Sequence, residues 1–432
     1  MAMSLRSRIA VAIALAALAG KAWAQAPVAP APPANAAQAN EIAGWNTFTD
    51  RLRDLRGKMM ARLPADMQRD PQIQQEVARL MLESLAAASI GAVSHDPDRP
   101  VFLPSLNLTL NIGQPNADTT YKQARIAPGG TYRLRGGKGN VRIARIGQLG
   151  ADPSTPARIS VRDYNDINAL PADAEGNYDV ILSPQRPAGY TGAWWRLDPQ
   201  TSELLLRLVA ADWARERDPT ISIERLDAPA TKPRVPTEVL QTRLGALPDA
   251  VDRMAILLVD HAAKLVTEGY VNRMKVFDVS QIGGQLTGQF YYEGAYDLAD
   301  DEALIVEAKV PDKCLYYSMI LTNMIYETTD WYNNHSSLND SQLHVDDDGM
   351  LRVVVSARDP GVANWLDTSG NDRGVIQGRW TECSAQPVPA TRKVKIDQVT
   401  RTLPADTPRV SPKQREQRVR DRRAALQRRN LW

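Results

Sequence analysis

Two segments near the start of the chain carry apolar residues at helical spacing. The first, from about Asn40, reads "EIAGWNTFTDRLRDLRGKMMARL", and the second, after Asp70, continues as "IQQEVARLMLESLAAASIGAV". Apolar residues three and four positions apart share one face of a helix, so each segment predicts an amphipathic helix. Asp70 is a favourable N-cap, and Pro71 suits the first helical position. The pattern therefore predicts two helices that pair with each other or cover a sheet.

Polar and apolar residues alternate from Asn107 onward. The alternating runs read "TTYKQARI", "TYRLRG", "NVRIARIGQL", "YDVILS" and "ELLLRLVAADW". A period of two residues with many β-branched side chains is typical of strands. The turns between these runs are too short for the crossover that parallel neighbours require, so we expect antiparallel pairing.

A helical stretch, "DAVDRMAILLVDHAAKLVTEGYVNRM", follows with start signals at Pro236 and Pro248. The strand pattern then returns in "EALIVEAKV", "CLYYSMILTN", "LRVVVSARD", "GVIQGRW" and "RKVKIDQV". Strands and helices do not alternate along the chain, which argues against a doubly wound sheet. We therefore expect a mainly β protein with helices, made of two antiparallel β-sandwich or jelly-roll-like units that helices bridge.

The first residues have the pattern of a secretory signal. Arg6 and Arg8 precede an apolar run of about twelve residues, and Ala22-Trp23-Ala24 provides a small-x-small cleavage pattern. We expect cleavage after Ala24 and a periplasmic or secreted mature protein. The predicted organisation is a signal peptide (1–24), a disordered Pro/Ala linker (25–39), a helical hairpin with a β unit (40–235), a helical bridge (236–300), a second β unit (301–400) and a basic tail helix (401–432).

Composition narrows the class of protein, and the tail stands out by its charge. The 432 residues are 43% hydrophobic and 24% charged, with a net charge of +2, which excludes a disordered chain or a coiled coil. From Thr391 to Trp432 the chain has thirteen basic and four acidic residues. We expect this tail helix to pack on the body through Val419, Leu426 and Trp432. The alternative is a weak contact with an acidic envelope surface, and nucleic acid is not an expected partner of an exported protein.

Cys314 and Cys383 are the two cysteines of the chain. Cys314 opens one predicted strand and Cys383 closes another, so antiparallel neighbours would bring the two together. An oxidising compartment allows such a pair to form a disulfide. The alternative is a pair of buried thiols.

Several familiar motifs are missing from the sequence. It has no G-x-S-x-G elbow and no H-E-x-x-H, and "GGKGN" lacks the spacing of a phosphate-binding loop. "DDDG" at residues 346–349 lacks the spacing of a calcium loop and reads as a hairpin turn. We expect no bound metal and no redox cofactor.

The first polar cluster is "PNADTTYKQAR", where a loop enters a strand. Asn and Asp at such a position usually form turns. In the functional interpretation, Asp118 is a base or hydrogen-bond acceptor. Asn116, Tyr121 and Lys122 would then contact the substrate.

The second cluster is "DWYNNHSSLN", a loop dense in aromatic and amide side chains. His335 titrates near neutral pH and could shuttle a proton, although a single loop histidine is more often structural. The other candidate substrate contacts from this loop are Trp331, Tyr332, Asn333 and Asn339. A further ordered loop, "ARDPGVANWLDTSGNDRG", adds Asp359 as a partner carboxylate and Trp365 as an apolar wall. Arg133 would help to orient the ligand.

These segments carry a family resemblance over about half of the chain. "NADTTYKQARI" followed by "YRLRG", together with "YYSMILTN", "DDDGMLRVVVS", "DPGVANWLDT" and "GVIQGRW", resembles an exported bacterial family. That family carries the domain of unknown function numbered twelve-fourteen, often with the domain numbered twelve-fifty-four. The resemblance implies two packed β-sandwich or jelly-roll-like units. It implies no settled activity.

The residues together predict an exported enzyme that uses acid–base chemistry on a small polar or amphipathic substrate, sugar-like or lipid-like. A hydrolase is favoured over a lyase or an isomerase. His335 would move the proton, with Asp118 or Asp359 as the carboxylate. One alternative is an envelope protein that binds a ligand in the same pocket without catalysis, and another is a structural envelope protein whose polar loops only pack. The enzyme and the ligand-binding protein both require that the two polar clusters meet in one pocket.

Overall fold

The computed structural model describes residues 42–151, 159–256, 258–278, 286 and 288–430, so the predicted signal peptide and the whole predicted linker lie outside the described residues. From Asn46 onward the described residues form one compact unit. The α-helices in these ranges are α1 (Trp45–Met60), α2 (Pro71–Ser94), α3 (Thr237–Ile256), α4 (His261–Thr267), α5 (Val399–Thr402) and α6 (Pro412–Leu426). Short 3-10 helices cover Met67–Arg69, Ile167–Ala169 and Ile396–Gln398.

The helix starts follow the local signals of the sequence. The side chain of Asp70 accepts a hydrogen bond from the backbone nitrogen of Gln72 at 2.8 Å, as predicted for an N-cap. Ser411 and Gln414 form a capping box at the start of α6. Pro236 does precede α3, but the second predicted start signal is wrong, because Pro248 lies inside that helix and is buried. Tertiary packing therefore overrides the usual helix-breaking effect of proline there.

The strands form two sets along the chain. The first set is β1 (Leu103–Pro104), β2 (Thr119–Arg125), β3 (Tyr132–Gly137), β4 (Ile143–Ala151), β5 (Ile159–Asp166), β6 (Asn177–Ser183), β7 (Ala193–Arg196), β8 (Thr201–Val209) and β9 (Ser222–Arg225). The second set is β10 (Lys275–Phe277), β11 (Gln289–Asp297), β12 (Glu302–Lys309), β13 (Tyr316–Thr322), β14 (Ser337–Asn339), β15 (Met350–Ser356), β16 (Trp365–Asp367), β17 (Arg373–Thr381) and β18 (Ala390–Lys395). The second set begins inside residues 236–300, the region predicted as a helical bridge.

Each set forms a five-stranded and a four-stranded sheet. The five-stranded sheets have the orders β1-β2-β8-β4-β5 and β10-β11-β17-β13-β14 and are antiparallel. The four-stranded sheets have the orders β7-β6-β3-β9 and β16-β15-β12-β18. The mainly β prediction with two sandwich-like units and bridging helices is confirmed. The prediction of antiparallel pairing is wrong for β6–β7 and β15–β16, which are parallel pairs. In each pair the connecting loop brings the chain back to the start of the first strand, so the second strand runs in the same direction.

The two strand sets share one topology, which indicates an internal duplication. Adding nine to each strand number of the first set reproduces the sheet orders of the second. A side-chain motif repeats as well. Trp194 Nε1 donates to Ser183 Oγ at 3.0 Å, and Trp365 Nε1 donates to Ser356 Oγ at 3.0 Å. Each serine in turn donates at 2.8 Å to the backbone carbonyl two residues later.

Helices α2 and α3 pack against each other beside the second strand set. Val77 and Leu80 of α2 and Val251 of α3 belong to one apolar cluster. Among the described residues, α2 is long and apolar enough to cross a membrane by length and composition alone. The core helices of soluble proteins meet the same criterion.

Cys314 and Cys383 form a disulfide, as the sequence predicted. The bridge joins the ends of β13 and β17, which are antiparallel neighbours with Tyr316 opposite Thr381. The pairing register therefore explains why two cysteines separated by 69 positions meet.

Candidate ligand-binding site

Three chain segments contribute most of the lining of a cavity of about 590 Å³, and Ala363 and Pro408 complete it. The three segments are the loop after β8, represented by Trp213, the loop around β14, represented by His335, and the face of α6 that carries Arg422. Leu338 and Leu343 give the cavity apolar wall area. An apolar wall with a few polar groups is typical of small-molecule sites.

His335 lines this cavity and is almost completely buried, with 4% of its surface exposed. Its Nδ1 lies 2.5 Å from the carbonyl oxygen of Trp365, so Nδ1 carries the proton and Nε2 keeps its lone pair. Nε2 lies 3.5 Å from Nη1 of Arg415, and the imidazole stacks on the Trp365 ring. Burial lowers the pKa of His335 well below its usual value, and the charges of Arg422 and Arg415 lower it further. The imidazole is therefore neutral at physiological pH.

Asp118 lies behind the cavity wall at the centre of a buried cluster. Its carboxylate accepts hydrogen bonds from Trp213 Nε1 at 2.8 Å, Asn339 Nδ2 at 2.7 Å and the Tyr316 hydroxyl at 2.5 Å. Burial raises the pKa of Asp118, while the three donors oppose that shift. Asp118 belongs to the first predicted cluster, and Asn339 belongs to the second, four residues after His335. The hydrogen bond between Asn339 and Asp118 therefore brings the two predicted clusters together.

Asp118 and His335 do not hydrogen-bond each other. The partners of His335 are Trp365 and Arg415, whereas Asp118 meets Trp213, Asn339 and Tyr316. Trp213 belongs to both environments, because it lines the cavity and donates to Asp118. The carboxylate of Asp118 therefore lies behind Trp213, while the imidazole of His335 lines a different part of the cavity.

Three arginines at seven-residue intervals attach the tail to the body, and sequence reasoning missed them. Arg415 donates to Asp359 at 2.9 Å, and Arg429 donates to Asp218 at 2.8 Å and to the carbonyl of Asp118 at 2.7 Å. Arg422 donates to Gln342 at 2.9 Å and to Ser337 at 2.8 Å. A seven-residue interval places Arg415 and Arg422 on one side of α6, and Arg429 follows just beyond the end of this helix. That repeat was the signal available in the sequence.

The tail packs on the body as expected, but with other residues in the main role. Leu426 is buried, Val419 is half-buried, and Trp432 lies outside the described residues. Arg415, Arg422 and Arg429 are all buried. The apolar stems of the arginines and their hydrogen bonds supply much of the attachment.

Arg422 is the charged group most enclosed by this site. Only 9% of its surface is exposed, its guanidinium lies 4.7 Å from the centre of the Trp213 ring, and Nε has no hydrogen-bond partner. Within the described ranges no carboxylate forms an ion pair with it. Burial lowers the pKa of Arg422 to about 10, with Asp118 acting in the opposite direction.

The other predicted site residues divide between the cluster and more distant positions. Asn116 belongs to the Asp118 cluster and donates to the Tyr316 hydroxyl at 2.9 Å. Tyr121 is buried on β2, and Lys122 lines a separate cavity of about 310 Å³. Arg133 lies on β3, where it forms an ion pair with Asp179. Arg133 does not line the cavity of about 590 Å³.

The second predicted loop is mostly well packed. Trp331 is buried and Tyr332 half-buried against the core of the first strand set. Asn333 donates to Asp330 of its own loop at 2.7 Å and is exposed. Trp365 is held by Ser356 and His335, and Asp359 is held by Arg415. For these residues the geometry shows structural contacts, and their predicted contacts with a substrate stay predictions.

One group of potential metal ligands is present among the described residues. Suitable atoms of His344, Asp346 and Asp406 lie within 4.8 Å of one another. Asp346 is already engaged by Arg352 at 2.6 Å, and Asp406 accepts from the backbone nitrogen of Asp347 at 2.8 Å. An arginine at this position opposes cation binding.

Comparisons with known proteins identify a solved structure with a similar fold but indicate no activity. The chain is 28% identical to an uncharacterized protein from Burkholderia cenocepacia, with a TM-score of 0.75 over 82% of this chain and 98% of that chain. The VPA0106 protein from Vibrio parahaemolyticus is 11% identical over 74% of this chain and 98% of that chain, and its TM-score of 0.43 is too low to support an argument. No family model and no curated protein matches the chain. The fold thus recurs in a solved structure from Burkholderia cenocepacia.

Proposed function

We propose that this protein is an exported binding protein for a small organic anion with a flat apolar body. The observation that carries the proposal is Arg422, a buried guanidinium at a cavity wall without an ion-pair partner among the described residues. A buried charge without a counter-ion is costly, and an acid group in the cavity would remove that cost. Arginine also suits carboxylate, because its planar fork can donate two hydrogen bonds.

The walls fit the rest of such a ligand. Trp213 contributes part of its indole ring to the cavity lining, and Leu338 and Leu343 contribute aliphatic surface. Asp118 already accepts three hydrogen bonds behind the wall, so its capacity to serve Arg422 as a direct partner is largely used. Asp212 and Asp421 also line the cavity, and both are more exposed to solvent than Arg422. An anion would therefore find its strongest attraction at Arg422.

The experiment is a thermal unfolding titration of the full chain with benzoate, using benzyl alcohol as the neutral comparison. A ligand that binds only the folded state raises the Tm with concentration. We expect benzoate to raise the Tm of the wild-type protein and of Arg420→Gln, an exposed arginine of the same helix. Arg422→Gln should lose the benzoate effect. An equal shift in Arg422→Gln, or a shift with benzyl alcohol alone, would show that Arg422 does not select the ligand.

A second candidate is the predicted acid–base enzyme, with hydrolysis as the favoured reaction. It is supported by His335, which lines the same cavity and keeps an unprotonated Nε2. His335→Gln separates the two candidates when benzoate binding and the hydrolysis of 4-nitrophenyl acetate are measured together. A binding protein shows no hydrolysis above that of the His335→Gln variant, while a hydrolase loses its activity in that variant and retains benzoate binding.

A further inference from the structure

A second arginine of α6 lines the same cavity as Arg422. Arg418 lies about one helical turn before Arg422, and both residues contribute to the lining of the cavity of about 590 Å³. Residues four apart on a helix lie on the same face, with their Cβ atoms about 5–6 Å apart. Arg422 is buried, whereas Arg418 is exposed. One wall of the cavity therefore carries two arginines, one enclosed by the protein and one open to solvent.

Arg418 has no acidic partner in the part of the chain that the structure describes. The carboxylate that attracts its charge is Asp359, which is already paired with Arg415 at 2.9 Å. Partial burial lowers the pKa of Arg418, the charge of Arg415 lowers it further, and the charge of Asp359 opposes both effects. Like Arg422, Arg418 therefore presents to the cavity a positive charge that an acidic group of a ligand would neutralise.

The positive charges of α6 act together on the imidazole of His335. Burial has the largest effect on the pKa of His335, and the charges of Arg422, Arg415 and Arg418 lower that pKa further. Of these three arginines, Arg415 is neutralised by Asp359. The remaining positive charge beside His335 comes from the two arginines that line the cavity, Arg418 and Arg422. Two cations on one helix face match a ligand that carries two acidic groups.

Two carboxylates also line the cavity, and both have local partners. Asp212 accepts hydrogen bonds from the backbone nitrogens of Ala214 at 3.0 Å and Arg215 at 3.2 Å, and its Oδ2 lies 3.8 Å from Nε of Arg215. Asp421 accepts a hydrogen bond from Nε2 of Gln417 at 2.8 Å. A ligand selected by these carboxylates would carry an ammonium group in place of a second acid. The experiment therefore has to distinguish a diacid from a zwitterion.

We propose that the cavity binds a dicarboxylic acid, with one carboxylate held by Arg422 and the second held by Arg418. This inference rests on the proposed function and narrows its ligand class to diacids with an apolar body. Each guanidinium can donate two parallel hydrogen bonds to a carboxylate. Because the two cations belong to separate residues, the two acid groups have to be separated on the apolar body. Isophthalate has this arrangement, since its ring separates two carboxylates that one guanidinium cannot hold together.

The test compares three ligands that share one benzoate body and differ in one meta substituent. That substituent is a carboxylate in isophthalate, a methyl ester in monomethyl isophthalate and an ammonium group in 3-(aminomethyl)benzoate. Isothermal titration of the full chain at neutral pH and low salt measures the three affinities, because salt would screen the exposed Arg418. We expect isophthalate to bind about threefold to tenfold more tightly than the monoester. Equal affinity for these two ligands, or tightest binding of 3-(aminomethyl)benzoate, would overturn the proposal.

Variants of α6 assign the preference to Arg418. Arg418→Gln should reduce the ratio of isophthalate affinity to monoester affinity to about one, since an exposed ion pair is the only contact removed. Arg418→Lys keeps the positive charge and should retain most of the preference. Arg420→Gln is the matched control, because Arg420 is an exposed arginine of the same helix that pairs with Glu416, and it should keep the wild-type ratio. The full wild-type ratio in Arg418→Gln would overturn the role of Arg418.

Benzoate separates a failure of this inference from a failure of the proposed function. Binding of benzoate and of the monoester without a preference for isophthalate overturns the diacid inference and leaves the proposed function standing. If the wild-type chain binds neither benzoate nor any of the three substituted ligands, both are overturned. Binding of benzoate that depends on Arg422, together with an isophthalate preference that depends on Arg418, supports both.

Discussion

Replacing Asp118 tests how much the buried cluster behind the cavity contributes to stability. In Asp118→Ala, three buried donors on Trp213, Tyr316 and Asn339 lose their acceptor. An unsatisfied buried donor costs about 1–2 kcal/mol, so we expect a loss of about 3–6 kcal/mol in the free energy of unfolding. Asp118→Asn should lose less, about 1–2 kcal/mol, because its amide oxygen can replace Oδ1, which accepts from Trp213 and Asn339.

Urea unfolding followed by tryptophan fluorescence measures both variants. Asp54→Ala is the matched control, since Asp54 is an exposed aspartate of α1 and its replacement should change stability by less than about 0.5 kcal/mol. The order expected is wild type and Asp54→Ala, then Asp118→Asn, then Asp118→Ala. If Asp118→Ala lost no more stability than Asp118→Asn, water would be accepting hydrogen bonds from the three donors. That result would refute the assumption that the cluster excludes water.

Three further predictions concern other parts of the molecule. Burial and the charge of Glu327 raise the pKa of Glu83 to about 7, so the folded state holds this proton more tightly and stability falls as pH rises from about 4.5 to about 7. Glu83→Gln should therefore be more stable than wild type by about 1–2 kcal/mol at pH 8 and equal to it at pH 4, and a gap that does not vary with pH in urea unfolding would contradict this. Reduction of Cys314–Cys383 should lower stability by about 4 kcal/mol, measured as thermal unfolding with and without dithiothreitol, whereas an unchanged Tm with both thiols alkylated would refute it. Ser183→Ala and Ser356→Ala should each lower the free energy of unfolding by about 1 kcal/mol, measured by urea unfolding, if the two serines have the same structural role. Clearly unequal losses would contradict that equivalence.

Local patterns predicted most of the secondary structure. The cap at Asp70, the alternating strands and the disulfide all depend on neighbouring residues or on simple strand pairing. The parallel pairs β6–β7 and β15–β16 were not predicted from the sequence. Packing of the loop, rather than its length, decides whether the next strand runs parallel or antiparallel to the one before it. The duplication was also missed, because similarity between the two halves is concentrated in short segments such as "VILS" and "VVVS".

The candidate site was predicted in part. Asp118 and Asn339 do meet across 221 positions, and His335 lines a cavity near them. Arg422 was missed because hydrophobic periodicity treats arginine as a solvent-facing residue, whereas its long apolar stem allows burial. Trp213 was missed because its role comes from a contact with Asp118 that no local pattern encodes.

The resemblance to the exported bacterial family remains a prediction, as does export itself. Residues 1–41, which carry the predicted signal, lie outside the described ranges. The fold agrees with what the resemblance implies, two packed β-rich units. An activity has to be argued from the cavity and its residues, since one fold supports many functions.

A crystal structure of the full chain with 4-bromobenzoate tests the proposed binding function most directly. Anomalous scattering from bromine locates the ring, and the density locates the carboxylate. We expect the ring beside Trp213 and a carboxylate oxygen about 2.7–3.2 Å from a nitrogen of Arg422. Bromine bound only outside this cavity, or a carboxylate turned toward solvent and away from Arg422, would contradict the proposed function.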